Sequence, residues 1–566
     1  MILKDSSEAL ERPDSMPVSP LILQAGVVLV SFILYMSTLS KHFSEGEDSA
    51  WYVQDVTAPS SVVELFHPNH LLYNAVNHLI YKLCQFVGYQ GNACLPMQVT
   101  NAAAGALALG LMLRILGRLN VESRLALAWV GVTGVCYGFW SYSVQPEAYL
   151  MPLPPLLICI DQLIKLSDGR FSYKTFALIG FFGAIATLLH QQHVLALVAF
   201  TIAAAVIGFS CRSEDSIGRV LIGMVILCLT AAVLVGVPYL TVAIGVNGLR
   251  DVEAIASWSK GHGRNGMWVP WSNRNFLKSF VGFGRTVVGG HFLFGVSAFN
   301  QFVSRVFPKN LMIEERFIGQ HLPVATLVCC LIASLTAFLS TLAVIGSMLF
   351  PVQTESKSPR RSQSAFIVIS LLIVEYYLFN TMWEPMNIEY WIVLIPVVGI
   401  AIALLQSHRP GARRMWFAVA ILMLSLFVAN GLGSILPQTR RDMDYWYQAN
   451  RYLIENAKPG DIVITDDGWI CRQYLKMFSD ADVIGVRTNA NDRVPQVLED
   501  RSGLHRVWIS SWALEMRRNF ESPLSKKMSS TEEKELSALL DSVAGRMVLR
   551  DDGPFQAIWE LLPEAE

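Results

Sequence analysis

The sequence predicts a polytopic α-helical membrane protein: about eleven transmembrane helices with amphipathic surface helices, plus a small C-terminal soluble α/β domain. Three observations predict it. Hydrophobic residues make up 53% of the 566-residue chain and charged residues only 16%, with a mean hydropathy of +0.41. Water-soluble domains carry far more charge than that. The apolar residues gather in runs long enough to cross a bilayer, and from about residue 437 the composition turns to that of a soluble domain. A net charge of −1 argues against nucleic acid as a partner. The lipid bilayer is the partner that the composition requires.

Residues 1–19 are polar, and the apolar run after them is long enough to span, so a retained anchor is expected rather than a cleaved signal. Spans are expected at 20–40, 99–118, 124–143, 147–166, 174–190, 193–210, 219–243, 321–350, 365–382, 389–406 and 415–435. Segment 70–88 (HLLYNAVNHLIYKLCQFVG) is apolar too, and the charges decide its status. If it spanned, Arg114, Arg118 and Arg124 would lie outside; as an amphipathic helix on the outer surface it leaves five basic loops on one side. Those loops carry Arg114/Arg118/Arg124, Lys165/Arg170/Lys174, Arg212/Arg219, Lys357/Arg360/Arg361 and Arg409/Arg413/Arg414. The expected organisation is a cytoplasmic tail at 1–19, a transmembrane domain at 20–436 with outer loops 41–98 and 247–320, and an extracytoplasmic domain at 437–566.

The nine cysteines show no zinc-ligand spacing. Cys84 and Cys94 both fall outside the membrane in this topology, and a disulfide between them is left open. In the C-terminal part, strands are expected at Ile462–Thr465, Val483–Val486, Val507–Ser510 and Met547–Leu549, with helices between. Asp466-Asp467-Gly468 ends the first strand and reads first as an ordinary turn.

Chemistry-bearing residues collect on the outer face. The first loop, Lys41 to Asn74, packs Glu45, Glu47, Asp48, Asp55, Glu64, His67 and His70 among aromatics, more than a plain connection needs. Glu147 lies in SYSVQPEAYL at the mouth of a predicted helix, where it is either functional or a helix cap. His190 and His193 lie in LLHQQHVL between two spans. Arg264, Arg285, Lys260 and His291 lie in the long loop 247–320, and Glu384 and Glu389 in WEPMNIEYW. Trp258, Trp268, Trp271, Trp383 and Trp391 are expected to anchor the chain at the interface. Glu375, inside a span, needs a partner or a proton and is assigned no catalytic role.

A first span ending in SEGEDSAWYV and followed by HPNHLLYN, together with SYSVQPEAY and LLHQQHV, resembles the glycosyltransferase-C superfamily. The likeness is to its protein O-mannosyltransferase-like and lipid A aminoarabinose transferase-like branches, and it covers roughly 20–240, with a weaker echo at 383–391. It implies a hexosyl- or mannosyltransferase-like enzyme using a polyprenyl-phosphate-linked sugar donor at the outer face of a bacterial inner membrane; the acceptor is unknown. The catalytic carboxylate is implied to follow the first span. Asp48 is preferred because Trp51-Tyr52 follow it, and Glu47 is the alternative. His67, His70, Glu147, His190, His193, Arg264, Arg285 and Glu384 are the expected substrate-binding residues. HPNH departs from the commoner His-Pro-Pro or Lys-Pro-Pro. Some branches bind a divalent cation and others do not, so no cofactor is certain. A transporter or lipid flippase, or a non-catalytic envelope-polysaccharide assembly protein, is the rival reading; scarce mid-membrane charge speaks against transport.

Overall fold

The computed structural model describes residues 19–43, 48–168, 171–210, 214–261, 268–306, 312–348, 359–409, 412–465, 469–486, 493–499, 505–514 and 530–563. Helix α1 (Pro20–Ser37) begins where local chemistry starts a helix: Ser19 accepts the Ile22 N–H, and Pro20 occupies the first helical position. Two short helices outside the bundle follow, α2 (Ser49–Thr57) and α3 (Tyr73–Phe86). The bundle continues with α4 (Cys94–Arg118), α5 (Ser123–Val135), α6 (Tyr137–Ser143), α7 (Leu153–Leu166), α8 (Tyr173–Leu189), α9 (Val194–Ser210) and α10 (Glu214–Leu240). A surface stretch then holds α11 (Val252–Ser259), α12 (Asn273–Val287), α13 (Ser297–Val306) and α14 (Ile313–His321). The last four bundle helices are α15 (Val324–Met348), α16 (Pro359–Met382), α17 (Leu394–Ser407) and α18 (Ala412–Asn430).

Among the described residues, eight helices are long and apolar enough to cross a membrane, and the pair α5/α6, bent by 66°, is a broken ninth span or a re-entrant loop. The shorter apolar α8 and the 14-residue α7, buried along nearly its whole length, occupy the two remaining expected positions. The chain is an integral multi-pass membrane protein. Expected span 124–143 is thus broken at Cys136, and expected span 147–166 becomes helical only at Leu153. Helix α3 matches the expected surface helix: Leu79, Leu83, Phe86 and Val87 are exposed on it while Tyr73, Asn74, Asn77 and Tyr81 are buried.

Polar side chains inside the bundle tie loops to helices, because no water is there to satisfy loop carbonyls. Gln98 of α4 donates to the carbonyls of Ser40 (2.7 Å) and Val144 (2.8 Å). Asn101, one turn on, donates to the carbonyls of Gln145 (2.6 Å) and Glu147 (2.7 Å). One helix face therefore holds both the entry to the first loop and the turn after α6.

The C-terminal part is a five-stranded sheet of order β2-β1-β3-β5-β4. Strands β1 (Ile462–Thr465), β2 (Asp482–Gly485) and β3 (Val507–Ser510) are parallel; β5 (Ala557–Leu561) and β4 (Met547–Asp552) add antiparallel pairings. β5 is absent from the expected strands. It sits between β3 and β4, so its place in the sheet depends in part on β3, distant in sequence.

Cys84 and Cys94 are both free thiols, not a disulfide. Trp383 and Trp391 are buried, Trp391 completely, so they are core residues and not interface anchors; Trp268 and Trp271 are half exposed. Asp466-Asp467-Gly468 lies outside the described residues.

Candidate active site

The site forms where four connections meet: the first loop, the turn after α6, the turn between α8 and α9, and the loop between α16 and α17. Leu72 N–H donates to the carbonyl of Leu188 (2.9 Å), and the Tyr239 hydroxyl to that of Pro68 (2.5 Å). These bonds fix HPNH against HQQH and α10.

Asp48 stands half-buried at the N-terminus of α2. Its side chain makes no capping bond there; instead its Oδ2 accepts from the Tyr52 hydroxyl at 3.1 Å. A helix N-terminus favours a negative charge, and the hydroxyl four residues on orients it. Ser49, beside it, donates to Glu147 Oε1 at 2.5 Å. Glu147 is wholly buried in the turn, six residues before α7 begins, so it is neither at a helix mouth nor a cap. Burial, then the charges of Asp48 and Glu389, push its carboxyl far above the usual range.

Two more acids close the far side. Asn387 donates to Glu384 Oε2 and to Glu389 Oε1, both at 2.9 Å, and the Tyr142 hydroxyl donates to Glu389 Oε2 at 3.5 Å. Burial raises the Glu384 carboxyl, and Asp48 adds to the rise against the Asn387 hydrogen bond. Gly282 of α12 permits this loop to sit so low: a Cβ there would meet the Pro385 carbonyl oxygen at 2.1 Å. Glu389 was noticed in the sequence but not chosen with Glu384. Glu389 acts electrostatically on Glu147 and Tyr52.

The histidines wall this acidic centre. His67 and His70 stack at 4.7 Å between centroids, His67 meets Trp51 edge-on at 6.0 Å, and His70 meets Tyr52 at 4.8 Å. His190 lies 4.6 Å from the Tyr149 ring and 6.0 Å from His193, which hydrogen-bonds the Tyr376 hydroxyl at 2.6 Å. Lys260 is exposed at the end of α11. Its neighbour Ser259 accepts from Gln191 Nε2 at 2.7 Å, and Gly261 packs on Asn69. The structure thus brings Asp48, Glu147, Glu384, His67, His70, His190 and His193 to one region.

Other expected residues stand elsewhere. Arg285 is ion-paired with buried Glu315 and donates to the Met386 carbonyl at 3.1 Å, so its guanidinium holds the acidic loop in place. His291 is fully buried against Ser434 (2.8 Å) and Tyr137. Glu45, Glu47 and Arg264 lie outside the described residues. Among the described residues no group of three or more His, Cys, Asp or Glu is arranged to hold a metal ion.

Asp48, Tyr52 and Asp55 recur at one-turn spacing on one face of α2. Burial, then Glu64, raises the Asp55 carboxyl to about 8. An unfolded aspartate ionises near 4, so the stability associated with protonated Asp55 is full below pH 4 and is lost as pH rises to about 8. Asp55→Asn is therefore expected to stabilise the protein at pH 8 by on the order of 1–3 kcal/mol, with no change at pH 4. Thermal melts across that range check it; a variant no more stable at pH 8 than the parent would place Asp55 in a solvated, ordinary state.

The same fold occurs among solved structures. ArnT from Cupriavidus metallidurans bound to undecaprenyl phosphate superposes with a TM-score of 0.51 at 11% identity, over 96% of this chain and 98% of that one. The chain shares the fold of that ArnT. The same ArnT in its apo state gives 0.44 at 12% identity, over 96% and 98%. The Archaeoglobus fulgidus oligosaccharyltransferase complexed with Zn and sulfate gives 0.44 at 13%, over 87% of this chain and 68% of that one. No protein-family model matches the chain, and no curated protein matches its sequence. Fold likeness at this identity leaves each residue's role to be argued from local geometry.

Proposed function

We propose that this protein transfers a sugar from a polyprenyl-phosphate-linked donor to a hydroxyl of a protein, lipid or glycan acceptor, with Asp48 as the catalytic carboxylate. The observation that carries the reading is the Asp48 carboxylate, oriented by Tyr52 and backed by Glu147, Glu384 and Glu389, beside two pairs of histidines. The undecaprenyl phosphate bound to the similarly folded ArnT supports the class of donor.

In this reading the acceptor oxygen attacks the anomeric carbon. The new carbon–oxygen bond forms as the bond from that carbon to the phosphate oxygen breaks, and the electron pair leaves with the lipid phosphate. The acceptor proton passes to Asp48. His67, His190, Lys260 and Arg264 are the groups proposed to take up charge on the departing phosphate. Buried Glu147, its carboxyl pushed up by burial, accepts from Ser49 and so keeps the start of α2 in place. Hexosyl and mannosyl donors are the proposed first choice, and a divalent cation is tested by chelation in the same assay.

The proposed orientation puts the site and the C-terminal domain outside a bacterial inner membrane, with the N-terminus in the cytoplasm. One experiment tests both reaction and side. Purified protein is reconstituted into vesicles of known orientation with a radiolabelled polyprenyl-phosphate sugar and a membrane-impermeant acceptor. Label is expected to move only where the C-terminal domain faces the acceptor. No transfer to any acceptor class, alongside transbilayer movement of the labelled lipid, would make the protein a flippase instead.

A further inference from the structure

We infer that the opposite end of the bundle carries a binding site for one anionic glycerophospholipid. A groove of about 450 Å³ runs between α1 and α4, and Leu21, Gln24, Val28, Leu29, Phe32 and Arg114 line it. It lies where α1 starts and α4 ends, far along the bundle from Asp48, which follows the other end of α1.

Helix α1 packs closely on α4 at two levels, and at the outer one a Cβ at Gly105 would meet the Tyr35 ring at 3.3 Å. At the other, a Cβ at Gly110 would meet the Val28 side chain at 2.6 Å and that of Gln24 at 3.5 Å. From Leu21 to Phe32 the helix rises about 16 Å, close to the roughly 15 Å of hydrocarbon in one leaflet. An acyl chain lying in the groove would run from the membrane face to the bilayer centre.

Arg114 closes the end at the membrane face, and it does not stand alone. It approaches Asp161 at 3.4 Å, Arg118 reaches the same carboxylate at 3.1 Å, and Lys165 approaches it at 3.6 Å. Three cations share one carboxylate, which leaves two positive charges. The neighbouring Arg361 is neutralised by its bidentate pair with Asp168, at 2.6 and 2.9 Å. Asp161 is only 3% exposed whereas Arg114 is 46% exposed, so the acid anchors the cluster from within and the arginine faces outward. A surplus of positive charge at headgroup depth, continuous with an apolar groove of leaflet length, matches a phosphodiester headgroup with its acyl tail.

The test uses the full chain, purified and delipidated, and titrated with phosphatidylglycerol or phosphatidylcholine while bound lipid is read by native mass spectrometry. Phosphatidylglycerol is expected to bind on the order of five- to tenfold more tightly than phosphatidylcholine. Arg114→Gln is expected to erase that preference, and Arg114→Lys to keep most of it. Leu29→Trp, which fills the groove and leaves every charge in place, is expected to weaken both lipids and provides a second test if Arg114→Gln proves unstable. Equal binding of the two lipids, or an unchanged preference in Arg114→Gln, would overturn the inference. So would displacement of phosphatidylglycerol by polyprenyl phosphate at equal concentration, or a dimer that Leu29→Trp abolishes. None of these readouts depends on transferase activity.

Discussion

Asp48→Asn is expected to reduce sugar transfer by on the order of a hundredfold to ten-thousandfold, the usual range for loss of a general base, while the fold stays intact. Asparagine keeps the volume and an oxygen for the Tyr52 hydroxyl, which lies 3.1 Å from Asp48 Oδ2. It removes the negative charge and the basicity. The charge of Asp48 contributes to raising the Glu147 and Glu384 carboxyls, so its loss relieves repulsion inside the acidic cluster. The melting temperature should therefore hold or rise as activity falls, a combination that simple misfolding would not produce. Single-turnover transfer with labelled donor, run beside thermal melts, measures both. Glu47→Gln is the control and should be far milder. Near-full activity in Asp48→Asn with none in Glu47→Gln would move the catalytic role to Glu47; activity in both would remove the first loop from the chemistry.

What the sequence disclosed of this site was its address. Hydropathy and the side of the basic loops placed the first loop, SYSVQPEAYL, LLHQQHVL and WEPMNIEYW on one face, because bilayer length and loop charge are local properties of the chain. The structure adds pairings that local patterns do not carry. Arg285 reads as a loose cation in a Gly-rich loop until Glu315, thirty residues on, is seen beside it. Glu147 reads as a helix cap because Leu153, where the helix begins, follows a stretch apolar enough to be helical from the start. Its burial depends on Asn101 holding the carbonyls of the turn. Glu389 and Glu384 are indistinguishable in WEPMNIEYW, and only the Asn387 amide bridging them, with Tyr142 across from Glu389, separates their settings. In the C-terminal sheet the parallel strands announced themselves as short apolar runs. β5 was hidden because Ala557–Leu561 includes Glu560 beside Trp559 and gains its place only by pairing with β3 and β4.

Asp444→Ala is expected to be the most damaging substitution outside the acidic cluster, because Asp444 couples the C-terminal domain to the first loop. Its buried carboxylate accepts from the backbone N–H groups of Trp446 (3.0 Å) and Tyr447 (3.1 Å), capping the helix Tyr445–Asn456. It also accepts from the Tyr474 hydroxyl at 2.8 Å and faces His42 at 3.9 Å, both His42 and Asp444 being wholly buried. Tyr474 in turn accepts the Phe43 N–H at 2.7 Å, so the same hydroxyl holds the backbone of the first loop five residues before Asp48. Losing the cap costs about 1 kcal/mol, and leaving the Tyr474 hydroxyl without its acceptor costs about 1–3 kcal/mol more. The total, about 2–4 kcal/mol, should appear in denaturation of the purified protein. Asp444→Asn retains a capping oxygen and should lose roughly half as much. Tyr474→Phe leaves the cap but removes the link to Phe43; its effect should fall on turnover more than on stability, since the loop bearing Asp48 is then held less firmly. Wild-type turnover in Tyr474→Phe would mean that the domain stabilises the fold without positioning the catalytic carboxylate.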